Sequence, residues 1–244
     1  MEKFESEIMS NNKKISALLK ENEKLLTEAG YLPPGSDWEP RKDGSKIHFP
    51  EGYIRPHDYF IKKYKLNVIV RDKAVRKNIA YSFQLADYYG YFIRRFHIWG
   101  SVSIMFYKHD IINLVSIIEA LSTCATNSIA DNGKKVFKSD PPPKPYPGGH
   151  DWALKYLKSA LEWASTNKIT HLTKQQINDL NDLYELRNHV HIEKDKPYDY
   201  GSKEFNKATH DLALSLVEQV ADDINAHWVK YYYLPLPGCT PQHP

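Results

Sequence analysis

Cysteine is scarce in this chain of 244 residues, and its scarcity excludes scaffolds built on disulfides or on cysteine-bound metal. Cys124 and Cys239 match no metal-binding spacing, and they can form at most one disulfide. The chain contains no run of 18 apolar residues, so no membrane-spanning helix is expected. Its first residues are charged and lack the apolar segment of a signal peptide. We therefore expect a cytoplasmic protein for which a membrane is not a partner.

Several well-known catalytic motifs are also missing from the sequence. It has no glycine-rich phosphate loop, no serine nucleophile elbow and no zinc spacing, which disfavours nucleotide hydrolysis, proteolysis and zinc chemistry. We accordingly expect no cofactor and no bound metal. The net charge is only +3, which permits RNA as a partner but does not by itself indicate one.

The sequence does contain a large apolar fraction arranged with helical spacing. Hydrophobic residues make up 41% of the chain, enough for a sizeable core. Residues 111–121 are apolar on nearly every side, which is typical of a helix in the middle of a bundle. We predict an all-α, up-and-down bundle of four or five main helices. The predicted helices cover residues 73–98, 101–127, 150–166, 173–192 and 203–231.

The first 30 residues form a segment with a heptad repeat. Asn occupies two seam positions of this repeat, and a buried Asn fixes register at a cost in stability. The pattern predicts a coiled-coil-like helix over residues 3–29, either paired with another copy or docked on its own domain. The seam positions are Phe4, Ile8, Asn11, Ile15, Leu18, Asn22, Leu25 and Ala29.

Proline and glycine mark the predicted boundaries of the remaining segments. Residues 31–71 are interpreted as a linker region, in which residues 66–70 are the one short strand candidate. The helical bundle is assigned to residues 72–232 and an extended tail to residues 233–244. Inside the bundle, the proline-rich segment 131–149 is predicted to be a long surface loop.

Residues 177–192 place ionisable side chains in line with an apolar stripe. Arg187 and His191 are four residues apart and therefore neighbours on one helix face, in a groove, a cavity or an interface. His189 points about 160° away from His191 and is not expected to share their site. The residues alone also allow a structural role, with Arg187 paired to a buried acid and His191 bonded to a carbonyl. The stripe runs through Ile177, Leu180, Leu183 or Tyr184, Arg187, Val190 and His191.

The segment Leu186-Arg187-Asn188-His189-Val190-His191-Ile192 resembles the Arg-Asn-x-x-x-His signature helix of HEPN domains. The apolar helix with an embedded acid at Ile117-Ile118-Glu119-Ala120-Leu121 is also similar to that family. The resemblance covers roughly residues 72–232. Three residues separate Arg187 from His191, fewer than in most catalytic members.

The resemblance implies a homodimer whose two signature helices face each other across a composite cleft. Catalytic HEPN proteins cleave RNA without metal, using the ribose 2′-hydroxyl as nucleophile. In that role His191 would exchange a proton and Arg187 would hold the phosphate. Asn188 would orient the substrate or brace the helix. Glu119 would need a buried partner, for which Arg187 is the obvious candidate, unless it is a solvent-facing or capping acid.

Three functions follow from these observations. The first is a metal-independent endoribonuclease of HEPN type, as in toxin or phage-defence systems, with an antitoxin or other protein as a further expected partner. The second is a non-catalytic HEPN module that binds RNA, nucleotide or protein, and the third is a scaffold that acts through its N-terminal helix. His109 and Asn113, on a polar stripe with Ser116, are candidate cleft residues together with Tyr184.

Overall fold

The computed structural model of this protein describes residues 2–28, 54–136, 157–166, 168–188 and 204–229. Within these ranges all regular secondary structure is helical and no strand occurs, which confirms the all-α fold class. The chain divides into two units, Met1–Pro50 and Glu51–Pro244.

The described part of the first unit is one long helix, α1 (Glu2–Glu28). It matches the predicted helix over residues 3–29 to within one residue at each end. The apolar residues of the heptad seam are exposed along α1, from 52% for Ile15 to 69% for Phe4. Pairing of this seam with another copy stays a prediction, and Ala29 lies outside the described residues.

The second unit contains the helices that surround the core. A π-helical turn, Ile224–Trp228, continues directly from the last of them. The helices are α2 (His57–Lys63), α3 (Leu66–Ile69), α4 (Lys73–Arg95), α5 (Gly100–Val136), α6 (Leu157–Thr166), α7 (Lys174–Asn188) and α8 (Lys207–Asp223).

Helix α5 is the centre of this unit, as its apolar sequence predicts. It packs against α4, α6, α7 and α8. Residues on several sides of α5 are therefore removed from water, which is the main stabilising contribution in a helical bundle. The fully buried side chains of its middle turns are Ile111, Leu114, Val115, Ile117, Ile118 and Leu121.

Part of α5, Gly100–Thr126, is long and apolar enough to cross a membrane by length and composition alone. The core helix of a soluble protein passes the same test, and 39% of the apolar window is buried inside the bundle. Packing against four other helices is a sufficient physical reason for this composition.

The strand prediction for residues 66–70 is wrong, because Leu66–Ile69 forms the short helix α3. Leu66 and Ile69 are three residues apart, share one face and are completely buried. Lys65 precedes them with a φ of 48°, a left-handed conformation that turns the chain out of α2. A short apolar run fits either a strand or a buried helical turn, so its pattern alone does not decide between them.

Residues 57–70 contribute to the core although they fall in the predicted linker. Phe60 of α2 stacks on Phe83 of α4, with ring centroids 5.7 Å apart. Tyr64 stacks on the same ring at 4.1 Å. The helical unit of the structure therefore begins before residue 72, and residues 31–53 of the predicted linker lie outside the described residues.

The five main predicted helices all form, but their ends differ from the prediction. Helix α5 continues to Val136, past the predicted end at residue 127, because no proline occurs before Pro141. Helix α8 begins at Lys207 rather than at residue 203, since the Asn206 side chain accepts a hydrogen bond from the Thr209 amide and caps it. The prediction of a loop is therefore wrong for residues 131–136, which belong to α5, and the rest of the predicted loop and the predicted tail lie outside the described residues.

Candidate active site on helices α5 and α7

Helix α7 begins at the capping box that the sequence predicts. The amide of Gln176 donates to Oγ1 of Thr173 at 3.2 Å, and Oε1 of Gln176 accepts from the Thr173 amide at 2.6 Å. This start sets the helical phase, so Leu180, Leu183 and Tyr184 all point into the core. The next step along the same stripe reaches Arg187 near the end of the helix.

Arg187 forms an ion pair with Glu119 of the central helix. Its Nη1 atom donates to Oε2 of Glu119 at 2.8 Å. This is the partner that the sequence analysis named for Glu119. The side chain of Arg187 is 29% exposed and that of Glu119 is 17% exposed, so the pair lies at the edge of the bundle rather than inside it. The guanidinium is therefore partly accessible to solvent while the carboxylate restricts its orientation.

Tyr184 and Asn188 flank the ion pair on α7. The guanidinium carbon of Arg187 lies 5.9 Å from the centre of the Tyr184 ring, within the range of a cation–π contact. Tyr184 itself is only 8% exposed. Asn188 is half-buried and is the last described residue of the helix. Three of the predicted site residues thus lie in contact, Glu119, Tyr184 and Arg187, and Asn188 follows Arg187 in the chain.

His191, the second predicted catalytic residue, lies outside the described residues, as does His189. Its position relative to Arg187 therefore stays a prediction from the four-residue spacing.

The two other candidate cleft residues, His109 and Asn113, are not part of this cluster. Asn113 donates from Nδ2 to the Ser82 carbonyl at 2.9 Å and so ties α5 to α4 rather than to α7. His109 is exposed. Along the axis of α5, Asn113 lies about 9 Å and His109 about 15 Å before Glu119, at 1.5 Å per residue. Helical spacing put them on one stripe, but the neighbours of that stripe depend on the tertiary structure.

A buried acid–base pair joins α5 to α8, and sequence reasoning missed it. Oδ2 of Asp110 lies 2.7 Å from Nε2 of His210, and their side chains are 0% and 4% exposed. Burial raises the pKa of the Asp110 carboxyl, and the hydrogen bond from His210 offsets part of this rise. Its Oδ1 has no hydrogen-bond partner within the described ranges. One hundred residues separate the two positions, so no local pattern connects them.

A second missed cluster of polar side chains lines a cavity between α2, α4 and α8. Arg55 binds Asp87 through its main-chain amide at 2.8 Å and through its guanidinium. Burial raises the pKa of Asp87, but the hydrogen bonds and charge of Arg55 outweigh it, and the pKa lies below its ordinary value. Opposite, Glu218 accepts from Lys63 at 2.6 Å and from the Tyr64 hydroxyl at 2.7 Å. Two ion pairs, Arg55–Asp87 and Lys63–Glu218, thus line the cavity.

A third missed group contains His171, Asp223 and His227, whose potential ligand atoms lie within 4.8 Å of one another. The Asp223–His227 spacing of four residues on one helix is a signal that the sequence contains, whereas His171 comes from a distant loop.

The Arg187–Glu119 pair combines a fixed orientation with partial exposure, which suits it to binding an anion. The buried Asp110–His210 pair and the paired charges beside α2 are better suited to holding helices together. Comparison of the chain with protein-family models, with curated proteins and with solved structures gave no match.

Proposed function

We propose that this protein is a metal-independent endoribonuclease of HEPN type. The observation that carries the proposal is the ion pair between Arg187 and Glu119 at the partly exposed end of α7. It supports an anion site at the first residue of the HEPN-like signature, on a helix that packs against the central helix.

The proposed reaction transfers a phosphoryl group within the RNA, from the 5′-oxygen of the next nucleotide to the ribose 2′-oxygen. The ribose 2′-oxygen attacks the adjacent phosphorus, and the 5′-oxygen of the next nucleotide leaves, giving a 2′,3′-cyclic phosphate and a 5′-hydroxyl end. Arg187 neutralises the charge that grows on the non-bridging oxygens. His191 accepts the proton of the attacking 2′-hydroxyl or donates a proton to the leaving 5′-oxygen. Glu119 acts as a positioning residue that limits the rotamers of Arg187.

The resemblance to HEPN domains also leads to a proposed homodimer. In such a dimer each copy contributes one α7 to a shared cleft, so RNA would meet two arginines and two histidines. Toxin or phage-defence systems are the proposed setting, with an antitoxin as a further partner. Size-exclusion chromatography with light scattering tests the assembly, and a strictly monomeric protein would contradict the shared cleft.

Cleavage of RNA in EDTA is the direct test of the activity. We expect the purified full chain to cut single-stranded RNA and to leave cyclic-phosphate ends. Arg187→Ala and His191→Ala should each reduce the rate by roughly 100-fold or more, the usual range for one such catalytic group. Arg71→Ala is the matched control, because Arg71 is exposed and precedes α4 on another part of the bundle.

Two results would overturn the nuclease proposal. One is no cleavage of several RNAs by a folded wild-type protein. The other is cleavage that persists equally in both variants, which would indicate a contaminating nuclease or another site.

A second candidate function, a non-catalytic HEPN module that binds a protein, is favoured by an acidic groove beside α7. The groove has a volume of about 380 Å³. Four acids on its walls would repel an RNA backbone and attract a basic peptide. Its lining residues are Asp179, Asp182, Leu183, Glu185, Leu186, Glu204, Thr209 and Leu212.

Fluorescence anisotropy with a lysine-rich peptide distinguishes this candidate. We expect the charge-reversed double variant Asp182→Lys, Glu185→Lys to abolish peptide binding while Glu162→Lys, on α6, leaves it unchanged. If the acidic groove instead repels RNA, the double variant should bind RNA more tightly than the wild type. Its RNA binding should also persist to higher salt concentrations.

A further inference from the structure

Three side chains that can bind a metal meet where the loop before α7 touches the end of α8. His171 comes from that loop, Asp223 is the last residue of α8, and His227 lies in the π turn. The two imidazole rings are 3.7 Å apart between centroids, with planes tilted by 33°. All three potential ligand atoms lie within 4.8 Å of one another.

The four-residue step already places His227 on the same side of the helix as Asp223, and the π turn brings Trp228 to that side as well. In a regular α-helix a residue five positions on lies about 140° around the axis, at 100° per residue. Here the Val229 amide donates to the Ile224 carbonyl, five residues back, which widens the turn. As a result Trp228, five positions on, also lies beside Asp223, and its Nε1 donates to Oδ2 of Asp223 at 2.8 Å. Such π turns are rare in proteins, and those that occur are often found at functional sites.

The carboxylate of Asp223 is held in one orientation by the groups around it. Oδ2 accepts a second hydrogen bond, from Oγ1 of Thr170 at 2.7 Å. Oδ1 accepts only the His171 amide, at 3.0 Å, among the described residues. Asp223 is 7% exposed, so its charge is largely shielded from water. Metal-binding carboxylates are commonly fixed by outer hydrogen bonds of this kind, and Oδ1 keeps a lone pair for an ion.

We propose that His171, Asp223 and His227 bind one divalent transition-metal ion of the zinc class. Two imidazoles and one carboxylate suit zinc, whereas magnesium and calcium prefer oxygen ligands alone. Three protein ligands leave a fourth position for water or a bound ligand.

Small movements bring the three groups to bonding distance. Ligand atoms of a tetrahedral zinc site lie about 3.3 Å apart, so the atoms here must close by about 1.5 Å at most. His171 is exposed and His227 is half-buried, which leaves both rings room to rotate. The carboxylate, which is buried and hydrogen-bonded, need not move.

This site is independent of the proposed nuclease site. The two lie beside opposite ends of α7, with Arg187 about 20 Å along the helix axis from Lys174. Loss of zinc binding and loss of RNA cleavage are therefore separate results.

Isothermal titration of the full chain with zinc, after treatment with EDTA and its removal, tests the proposal. We expect His171→Ala and His227→Ala each to weaken the tight site by more than about tenfold. His97→Ala, which removes another exposed histidine, should bind zinc as the wild type does. Cobalt bound to the wild type should give the intense visible absorption of a tetrahedral site, and both site variants should lose it.

Thermal unfolding provides a second readout that does not depend on the calorimetric fit. Zinc at a hundredfold excess over its Kd should raise the Tm of the wild type by roughly 5–10 °C. The same zinc concentration should raise the Tm of the two site variants by about half as much or less, because their weaker sites gain less free energy from binding. Asp223→Asn is less informative, because Asp223 also anchors Thr170, His171 and Trp228.

The proposal fails if the folded wild type binds no zinc at micromolar concentration. It also fails if both histidine variants keep the wild-type affinity, since the ion would then bind elsewhere in the chain. In either case Asp223 serves only to anchor the loop before α7.

Discussion

Two acid–base pairs connect the central helix α5 to later helices, and they differ mainly in burial. Asp110 and His210, which join α5 to α8, are 0% and 4% exposed. Glu119 and Arg187, which join α5 to α7, keep 17% and 29% of their side-chain exposure. The distances are almost the same, 2.7 and 2.8 Å. The distance between the paired atoms therefore does not distinguish the two pairs.

Burial determines what each pair can do. Removing Asp110 and His210 from water carries a large desolvation cost, and no substrate can reach them, so their role is to hold two helices. Arg187 meets solvent, and its pair with Glu119 orients it without hiding it. Burial therefore favours a structural role for Asp110–His210, whereas the partial exposure of Arg187–Glu119 is compatible with the proposed nuclease role.

The largest expected effect is on stability. His210→Ala leaves the Asp110 carboxylate buried without a partner and should lower the free energy of unfolding by about 3–5 kcal/mol. Urea unfolding followed by circular dichroism measures the loss. His97→Ala is the control and should change stability by less than about 0.5 kcal/mol. A small loss in His210→Ala would remove the contrast between the two pairs.

The same pair should also make stability depend on pH. Because burial raises the pKa of Asp110 in the folded state, the unfolded chain loses its proton first as pH rises above 3.8. Stability from this group therefore falls until the folded pKa is passed, by about 1.4 kcal/mol for each unit of the rise. Asp110→Asn should flatten this part of the curve, and Asp222→Asn should not. Parallel curves for wild type and Asp110→Asn would contradict the assigned direction.

A smaller stability effect is expected at the exposed pair. Arg187→Ala should cost about 1–2 kcal/mol, because the carboxylate it leaves behind is partly hydrated. Arg187→Lys keeps the charge and should lose less stability, yet it should still impair RNA cleavage because lysine lacks the forked donor geometry. Unfolding and cleavage measured on the same preparations separate the two effects. A loss of 3 kcal/mol or more in Arg187→Ala would place this pair with the buried one.

The smallest effect is expected at the opposite end of α7. Thr173→Ala removes one half of the capping box and should cost about 1 kcal/mol. Cleavage should be unchanged, since the cap lies about 20 Å along the helix from Arg187. This variant controls for general weakening of α7. Cleavage lost equally in Thr173→Ala and Arg187→Ala would mean that the arginine acts only through helix stability.

Much of the helical architecture could be predicted from spacing along the chain. The capping box at Thr173 and the apolar stripe of α7 are local patterns, and both are confirmed. The Glu119–Arg187 pair was also predictable, because an acid in an apolar helix needs a partner and the stripe of α7 offers a single cation. The α3 turn was not, since a short and mostly apolar run fits a strand as well as a helix. Neither the Asp110–His210 pair nor the meeting of His171 with Asp223 leaves any mark in the local sequence.

The sequence by itself determined the main helices of the bundle and their apolar stripes, because both depend on steps of three and four along one segment. The tertiary structure decided which faces meet. It placed Asn113 against α4 and Glu119 against α7, buried Asp110 beside His210, and brought His171 to the π turn that holds His227. These are contacts between segments far apart in the chain, set by how the helices pack together. No pattern within a single helix contains that information.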